Sequence, residues 1–141
     1  MKPPPHEPRP PRIALDMARL RAALTYAWAG IAHTWQHQPN FRVECVIGGL
    51  AVALAIWLET GLVAVLVMSA LVLSLELVNS AIEAVVDLAS PEAHPLAKVA
   101  KDAAAGATLL AAIVSVAVGL LAMGPALVMK LRALWSILTS V

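Results

Sequence analysis

The segment LELVNSAIEAVVD, residues 75–87, places polar side chains inside a strongly apolar part of the chain. Glu76, Asn79, Glu83 and Asp87 follow one another at helical offsets of three, four and four, so they lie on one face of a helix. We call this face the polar stripe. Ionisable side chains inside a membrane cost about 3 kcal/mol each. The stripe is therefore expected to face a bundle interior or a water-filled cleft, and it is a candidate functional site.

The composition indicates one membrane domain. Of the 141 residues, 60% are hydrophobic and 13% are charged, and the mean hydropathy is +0.81. The net charge of +1 gives no support for nucleic-acid binding, which needs a clustered basic face. The single cysteine, Cys45, excludes an intramolecular disulfide. We interpret it as a small lipid-facing residue.

The hydropathy pattern predicts an all-α membrane protein with an N-terminal amphipathic surface helix and three transmembrane helices. Residues 1–14 are proline-rich and are expected to be disordered. Apolar residues at helical spacing predict the surface helix over residues 15–38, with Asn40 as the cap of the next helix. The membrane spans are expected at residues 41–58, 62–89 and 98–123.

The C-terminal segment is expected to be separate from the third span. Gly124 and Pro125 predict the end of that span. Leucines at helical spacing, beside Lys130 and Arg132, then predict an interfacial helix over residues 125–141.

The distribution of lysine and arginine predicts the orientation. Six of these residues lie in residues 1–42, and Lys98 and Lys101 flank the loop after the second span. Only Lys130 and Arg132 lie on the other side. The N-terminus and the active site are therefore expected in the cytoplasm, where ATP is available.

Lys101 and Asp102 begin the third span, at the membrane level of the polar stripe. Carboxylates with an amide suit Mg²⁺, which prefers oxygen ligands and retains water and substrate phosphates. A lysine suits a transferred phosphate, and a further carboxylate can accept a hydroxyl proton. These residue types together predict phosphoryl transfer.

Simpler interpretations remain for several of these residues. Glu83 and Lys101 can form a buried ion pair, or the stripe can belong to an ion or proton pathway. His94 can be a solvated loop residue. His33 and His37 lie one helical turn apart, but no acidic residue is near them in sequence, so the pattern gives little support for a metal site there.

Two sequence strings resemble one known family. ELVNSAIEAVVD, residues 76–87, and HPLAKVAKDAAAGATLL, residues 94–110, are similar to the prokaryotic diacylglycerol kinase and undecaprenol kinase family of small membrane lipid kinases. The resemblance extends upstream to RLRAALTYAWAG and NFRVE and covers about residues 19–123. It implies a homotrimer with sites shared between neighbouring subunits. It also implies ATP and Mg²⁺, a lipid alcohol substrate and a place in the bacterial inner membrane.

The resemblance also implies residue roles. Glu76 corresponds to the general base, Glu83 to a magnesium ligand and Asn79 to a supporting residue. The implied nucleotide-binding residues are Lys101, Asp102, Asp87, His94, Tyr26 and Arg19. Arg42 and Glu44 match the family's FRxE entry into the first span. Gln38 stands where relatives often carry a glutamate that helps to hold the metal, and its carbonyl oxygen can still coordinate.

The acceptor suggested by this resemblance is undecaprenol. The NFR, HPLAK and AKDAAAGA strings resemble the undecaprenol kinase branch more than the diacylglycerol branch, and diacylglycerol is the alternative acceptor. A different class of function is a catalytically weakened structural or regulatory membrane protein of the same fold. The reason for that alternative is Gln38, which is neutral where relatives often carry a metal-binding glutamate.

Overall fold

The computed structural model describes residues 17–139, which form four helices. They are α1 (Met17–His37), α2 (Pro39–Leu58), α3 (Leu62–Ala89) and α4 (Pro95–Thr139). The helices α2, α3 and α4 are each long and apolar enough to cross a membrane. This confirms the predicted all-helical membrane fold with three spans. The tail predicted at residues 1–14 lies outside the described residues.

The chain turns sharply between α1 and α2. Gln38 has an extended backbone, with φ −107° and ψ 105°, and Pro39 occupies the first turn of α2. Proline is favoured there because its missing N–H would have no partner inside the helix. The prediction that Asn40 caps α2 is wrong, since Asn40 already lies inside the helix. Gln38 takes the cap position, without a capping hydrogen bond from its side chain.

Arg42 fixes the angle of this turn. Its Nη1 donates hydrogen bonds to the backbone oxygens of Trp35 at 3.0 Å and Gln36 at 3.2 Å. The last carbonyl groups of a helix have no partner within that helix, so the guanidinium satisfies two of them. The contact ties the end of α1 to the first turn of α2 and sets the position of Gln38 between them.

The interior of the bundle is small, because helices in a bilayer turn much of their apolar surface to lipid. Its main cluster is Ala55, Leu58, Val65 and Met123, near the turn between α2 and α3. Gly61 in this turn has a positive φ of 74°. A Cβ atom there would lie 2.8 Å from the Cγ of Met123. The turn therefore requires glycine both for its backbone conformation and for its close approach to α4.

The predicted break at Gly124 and Pro125 is wrong, because α4 continues as one helix through both residues to Thr139. A proline in a transmembrane helix is tolerated when neighbouring groups compensate for the lost backbone hydrogen bond. Here Ala126 and Leu127 pack against the core cluster and hold the following turn in place. At 1.5 Å per residue, the 45 residues of α4 span about 67 Å. The hydrocarbon layer is about 30 Å thick, so α4 extends beyond it.

The extension of α4 also contacts the last turn of α2 and Glu59, which follows it. Lys130 Nζ donates a hydrogen bond to the backbone oxygen of Trp57. The same Nζ lies 4.9 Å from the centroid of the Trp57 ring, and Glu59 Oε1 is 3.9 Å away. These contacts explain why the segment stays aligned with the bundle instead of forming a separate interfacial helix.

Candidate functional site

The first half of the polar stripe faces the interior of the bundle. Glu76 is 3% exposed and Asn79 is 7% exposed, although both lie in a helix that is otherwise apolar. Ser80 donates its hydroxyl hydrogen bond to the backbone oxygen of Glu76 at 2.9 Å. An acid buried at this depth has few groups to solvate it, which marks Glu76 as a candidate for chemistry.

Two neighbouring helices bring polar groups to Glu76. Glu44 from α2 is close enough for electrostatic interaction with Glu76, and its Oε2 is buried without a hydrogen-bond partner in residues 17–139. Thr108 from α4 lies beside Glu76, and its buried hydroxyl has no partner with hydrogen-bond geometry in the part of the chain that the structure describes. Two acids and a hydroxyl thus converge below the surface of the bundle.

Glu83 lies at the junction of α1, α2 and α3. Gln38 Nε2 donates a hydrogen bond to Glu83 Oε2 at 3.1 Å, and Asn79 Nδ2 donates to Glu83 Oε1 at 3.4 Å. Both donors are neutral amides. The Oδ1 atom of Asn79 is buried and has no partner among the described residues. The three residues therefore leave an oxygen-rich site with a carboxylate charge that no amide neutralises.

Lys101 pairs with Asp87 rather than with Glu83. Its Nζ lies 2.7 Å from Asp87 Oδ1, and both side chains are partly or largely exposed. The ion pair of Glu83 with Lys101, which the sequence left open, is not formed in this structure. An exposed pair such as Lys101 and Asp87 contributes about 0–1 kcal/mol to stability, so its groups can exchange partners when a ligand arrives.

Asp102 is not brought to the polar stripe within one chain. It pairs with Lys98 one turn earlier on α4, and its side chain is 62% exposed. His94 accepts a hydrogen bond from the backbone N–H of Leu96 through Nδ1 at 3.2 Å, so it helps to order the start of α4. A cavity of about 280 Å³ lies at this loop and is lined by His94, Lys98, Lys101 and Asp87, among others.

A larger groove of about 640 Å³ runs between α1 and α3. One side carries Tyr26, Thr34, His33, His37 and Gln38, and the other side carries Ser80, Glu83 and Asp87. Tyr26 therefore lines this groove. Arg19 lies on α1 and is not among the residues that line this groove.

The donor set fits Mg²⁺. Glu83, Asn79 Oδ1 and the Gln38 carbonyl oxygen are oxygen ligands, and one of them is an orphaned buried atom. Residues 17–139 contain no group of three or more His, Cys, Asp or Glu side chains that could hold a metal. Mg²⁺ does not need such a group, because it takes most of its ligands from water and substrate phosphates.

Thr108 was not among the site residues predicted from the sequence. Its signal was present, since Thr108 follows Lys101 by seven residues and therefore lies on the same face of α4. Thr108 is an isolated hydroxyl in an apolar span, two turns after Lys101 and on the same face of α4. This position was sufficient to assign it to the site. The acids that share a groove with His33 and His37 were not predicted either, because they come from another helix.

Comparisons with known proteins agree on one family. The family model described as prokaryotic diacylglycerol kinase matches residues 25–123. A diacylglycerol kinase of Synechocystis sp. is 46% identical over 104 residues, which cover 71% of this chain and 59% of that protein. The chain therefore spans less than two thirds of that relative.

Two further relatives are covered over most of their length. A diacylglycerol kinase of Escherichia coli strain K12 is 43% identical over 101 residues, covering 70% of this chain and 83% of the relative. An undecaprenol kinase of Bacillus subtilis is 35% identical over 115 residues, covering 79% of this chain and 94% of the relative. In all three cases the identity supports a common family, and the named acceptors differ.

Proposed function

This chain belongs to the prokaryotic diacylglycerol kinase family, and we propose that it transfers the γ-phosphate of ATP to a lipid alcohol at the bacterial inner membrane. The observation that carries the proposal is the burial of Glu76 in a membrane-spanning helix, beside Glu44 and Thr108. A structural membrane protein gains nothing from acids held together in this way, because like charges at short range repel.

Glu76 is the general base in this proposal. Its carboxylate accepts the proton of the lipid hydroxyl, and the hydroxyl oxygen forms a bond to the γ-phosphorus as the bond to the β-phosphate oxygen breaks. The products are ADP and a lipid phosphate. The apolar surroundings of Glu76 suit a substrate whose hydroxyl is attached to a long hydrocarbon chain, since the chain remains in the bilayer while the hydroxyl reaches the acid.

Glu83, Asn79 and Gln38 would hold the magnesium ion. Mg²⁺ bound there supplies neutralisation of the phosphate charge. Gln38 and Asn79 keep the Glu83 carboxylate in place through their amide hydrogen bonds. Glu83 is the charged residue of these three. One carboxylate is sufficient for a metal that also binds the phosphates of the nucleotide.

The nucleotide occupies the groove between α1 and α3 in this proposal. Its volume of about 640 Å³ is within the range of small-molecule sites, about 300–1,000 Å³. Lys101 releases Asp87 and binds the phosphates instead. Tyr26 contacts the nucleoside. His94 and Asp87 lie at the loop end of the site. The excess of lysine and arginine at this end supports a cytoplasmic orientation.

Two acceptors are supported by different observations. The NFR, HPLAK and AKDAAAGA strings favour undecaprenol, which is our first choice. The relatives named diacylglycerol kinase have the higher identities, 46% and 43% against 35%, which favours diacylglycerol. Both are alcohols presented at the same interface, so direct competition in one assay separates them.

The test is transfer of label from γ-labelled ATP to lipid by purified protein in mixed micelles with Mg²⁺. Undecaprenol and diacylglycerol are offered separately and then together. Glu76→Gln is expected to lower kcat by about 100-fold or more, because a general base contributes about 10²–10⁴ in rate. Glu59→Gln is the matched control, since Glu59 is an exposed acid in the turn between α2 and α3, and it should retain activity.

The alternative is a structural or regulatory protein of the same fold. It predicts no labelled lipid from either acceptor, with wild-type protein that is folded by circular dichroism and monodisperse in detergent. That result would overturn the kinase proposal. Equal activity of wild type and Glu76→Gln would be compatible with a kinase but would contradict the role of Glu76 as its general base.

A further inference from the structure

His33 and His37 form a stacked pair on α1. Their ring centroids lie 4.1 Å apart with an interplanar angle of 24°, and His37 Nδ1 is 2.8 Å from the backbone oxygen of His33. A carbonyl oxygen can only accept, so Nδ1 carries the hydrogen in this contact. In the neutral tautomer with the hydrogen on Nδ1, the lone pair of His37 lies on Nε2. A backbone carbonyl commonly orients a metal-binding histidine in this way.

The fold provides the acids that the local sequence lacks. Both histidines line the groove between α1 and α3, and Glu83 and Asp87 line its opposite side. Asp87 already pairs with Lys101. Glu83 receives hydrogen bonds from two neutral amides and forms no ion pair within residues 17–139. A carboxylate that is in no ion pair among the described residues therefore lines the same groove as the two imidazoles.

We propose that His33 and His37 bind a transition-metal cation of the Zn²⁺ class. Two histidines one turn apart on one helix face can bind zinc through converging nitrogens. The rings are stacked with their centroids 4.1 Å apart, so the side chains must rotate before one nitrogen of each ring can reach a shared ion. Imidazole nitrogen suits Zn²⁺, Ni²⁺ and Cu²⁺, whereas Mg²⁺ prefers oxygen. The site is therefore distinct in chemistry from the Glu83 magnesium site.

The remaining ligands are not fixed by the two imidazoles. No group of three histidine, cysteine or acidic side chains is assembled around one point in the part of the chain that the structure describes. Water completes the coordination in this proposal, and the Glu83 carboxylate on the opposite side of the groove adds electrostatic attraction for the cation. An ion held there narrows the groove assigned to the nucleotide and competes with ATP, a consequence that rests on the proposed function.

The test measures metal binding without nucleotide or lipid, so its result is independent of kinase activity. Untagged protein in detergent is titrated with Zn²⁺ by calorimetry in the presence of excess Mg²⁺. We expect one tightly bound Zn²⁺ per chain. His37→Gln and His33→Gln should each weaken its binding by about tenfold or more, as loss of a ligand does.

The other two histidines of the chain, His6 and His94, provide matched controls. His6→Gln and His94→Gln should bind Zn²⁺ as wild type does, and circular dichroism should verify that every variant is folded. The proposal is overturned if His33→Gln and His37→Gln bind Zn²⁺ like wild type. It is equally overturned if His6→Gln removes the tight site, or if excess Mg²⁺ displaces the bound Zn²⁺.

Discussion

At the residue scale, Gln38 has an unusual position because it is a neutral side chain in direct contact with the proposed metal ligand. Its amide nitrogen lies 3.1 Å from Glu83 Oε2. The hydrogen bond holds the Glu83 carboxylate in place without neutralising it. A second carboxylate at this position would instead repel Glu83 in the absence of metal and attract a divalent cation more strongly.

Gln38→Glu is therefore expected to tighten Mg²⁺ binding. One additional charge at about 4 Å changes a charge interaction by about 1 kcal/mol in water and more at a partly buried site, which corresponds to about fivefold or more in affinity. The measurement is the Mg²⁺ concentration that gives half-maximal lipid phosphorylation at fixed ATP. Gln36→Glu is the control, because it adds the same charge to α1 at an exposed position that does not line the groove. An unchanged Mg²⁺ requirement in Gln38→Glu would contradict the assignment of Gln38 to the metal site.

Sequence periodicity predicts which stripe residues share a face but not which residue each one meets. The offsets between Glu76 and Asn79 placed both on one side of α3, and both are buried. The partner of Lys101 was not predictable in the same way. It depends on the rotation of α4 about its own axis relative to α3, and that rotation selects Asp87 instead of Glu83.

At the element scale, the end of α4 shows where a local rule fails. Gly124 and Pro125 are strong signals for a helix end in water, yet α4 continues past both. Packing of Leu127 against the core cluster and the contact of Lys130 with Trp57 favour the helical path. Those contacts come from residues of α2 and α3, which are far from Pro125 in sequence, so the sequence around Pro125 alone does not predict them.

The turn between α2 and α3 gives a stability prediction. Gly61→Ala is expected to destabilise the protein by about 1–3 kcal/mol, because an L-residue at positive φ costs about 1–2 kcal/mol and the new Cβ would lie 2.8 Å from Met123 Cγ. Thermal unfolding in detergent measures the change. Gly49→Ala is the matched control, since no atom lies within 4 Å of a Cβ at that position. Equal unfolding temperatures for the two variants would show that the turn relaxes without cost.

At the scale of the whole molecule, hydropathy was sufficient for the architecture. Three apolar segments predicted three spans, and α2, α3 and α4 occupy them. Assembly of the site was not predictable to the same extent. The sequence placed Lys101 and Asp102 together with the polar stripe, but Asp102 pairs with Lys98 and remains exposed. Within a single chain, Asp102 of the proposed phosphate-binding set is therefore separated from the polar stripe.

We propose that a homotrimer completes this set, with Asp102 of one subunit serving the Glu76 site of its neighbour. Glu76→Gln and Asp102→Asn are each expected to be inactive alone. Mixed in equal amounts, unfolded, and refolded together into micelles, they should recover activity in about one quarter of the sites, because random assembly pairs two intact residues in that fraction. Mixing the folded variants without subunit exchange is the control and should recover nothing. If co-refolded variants also stay inactive while co-refolded wild type regains full activity, Glu76 and Asp102 act within one chain. The exposed pair of Asp102 with Lys98 would then have to open for each nucleotide, and replacing Lys98 by Gln should lower the KM for ATP.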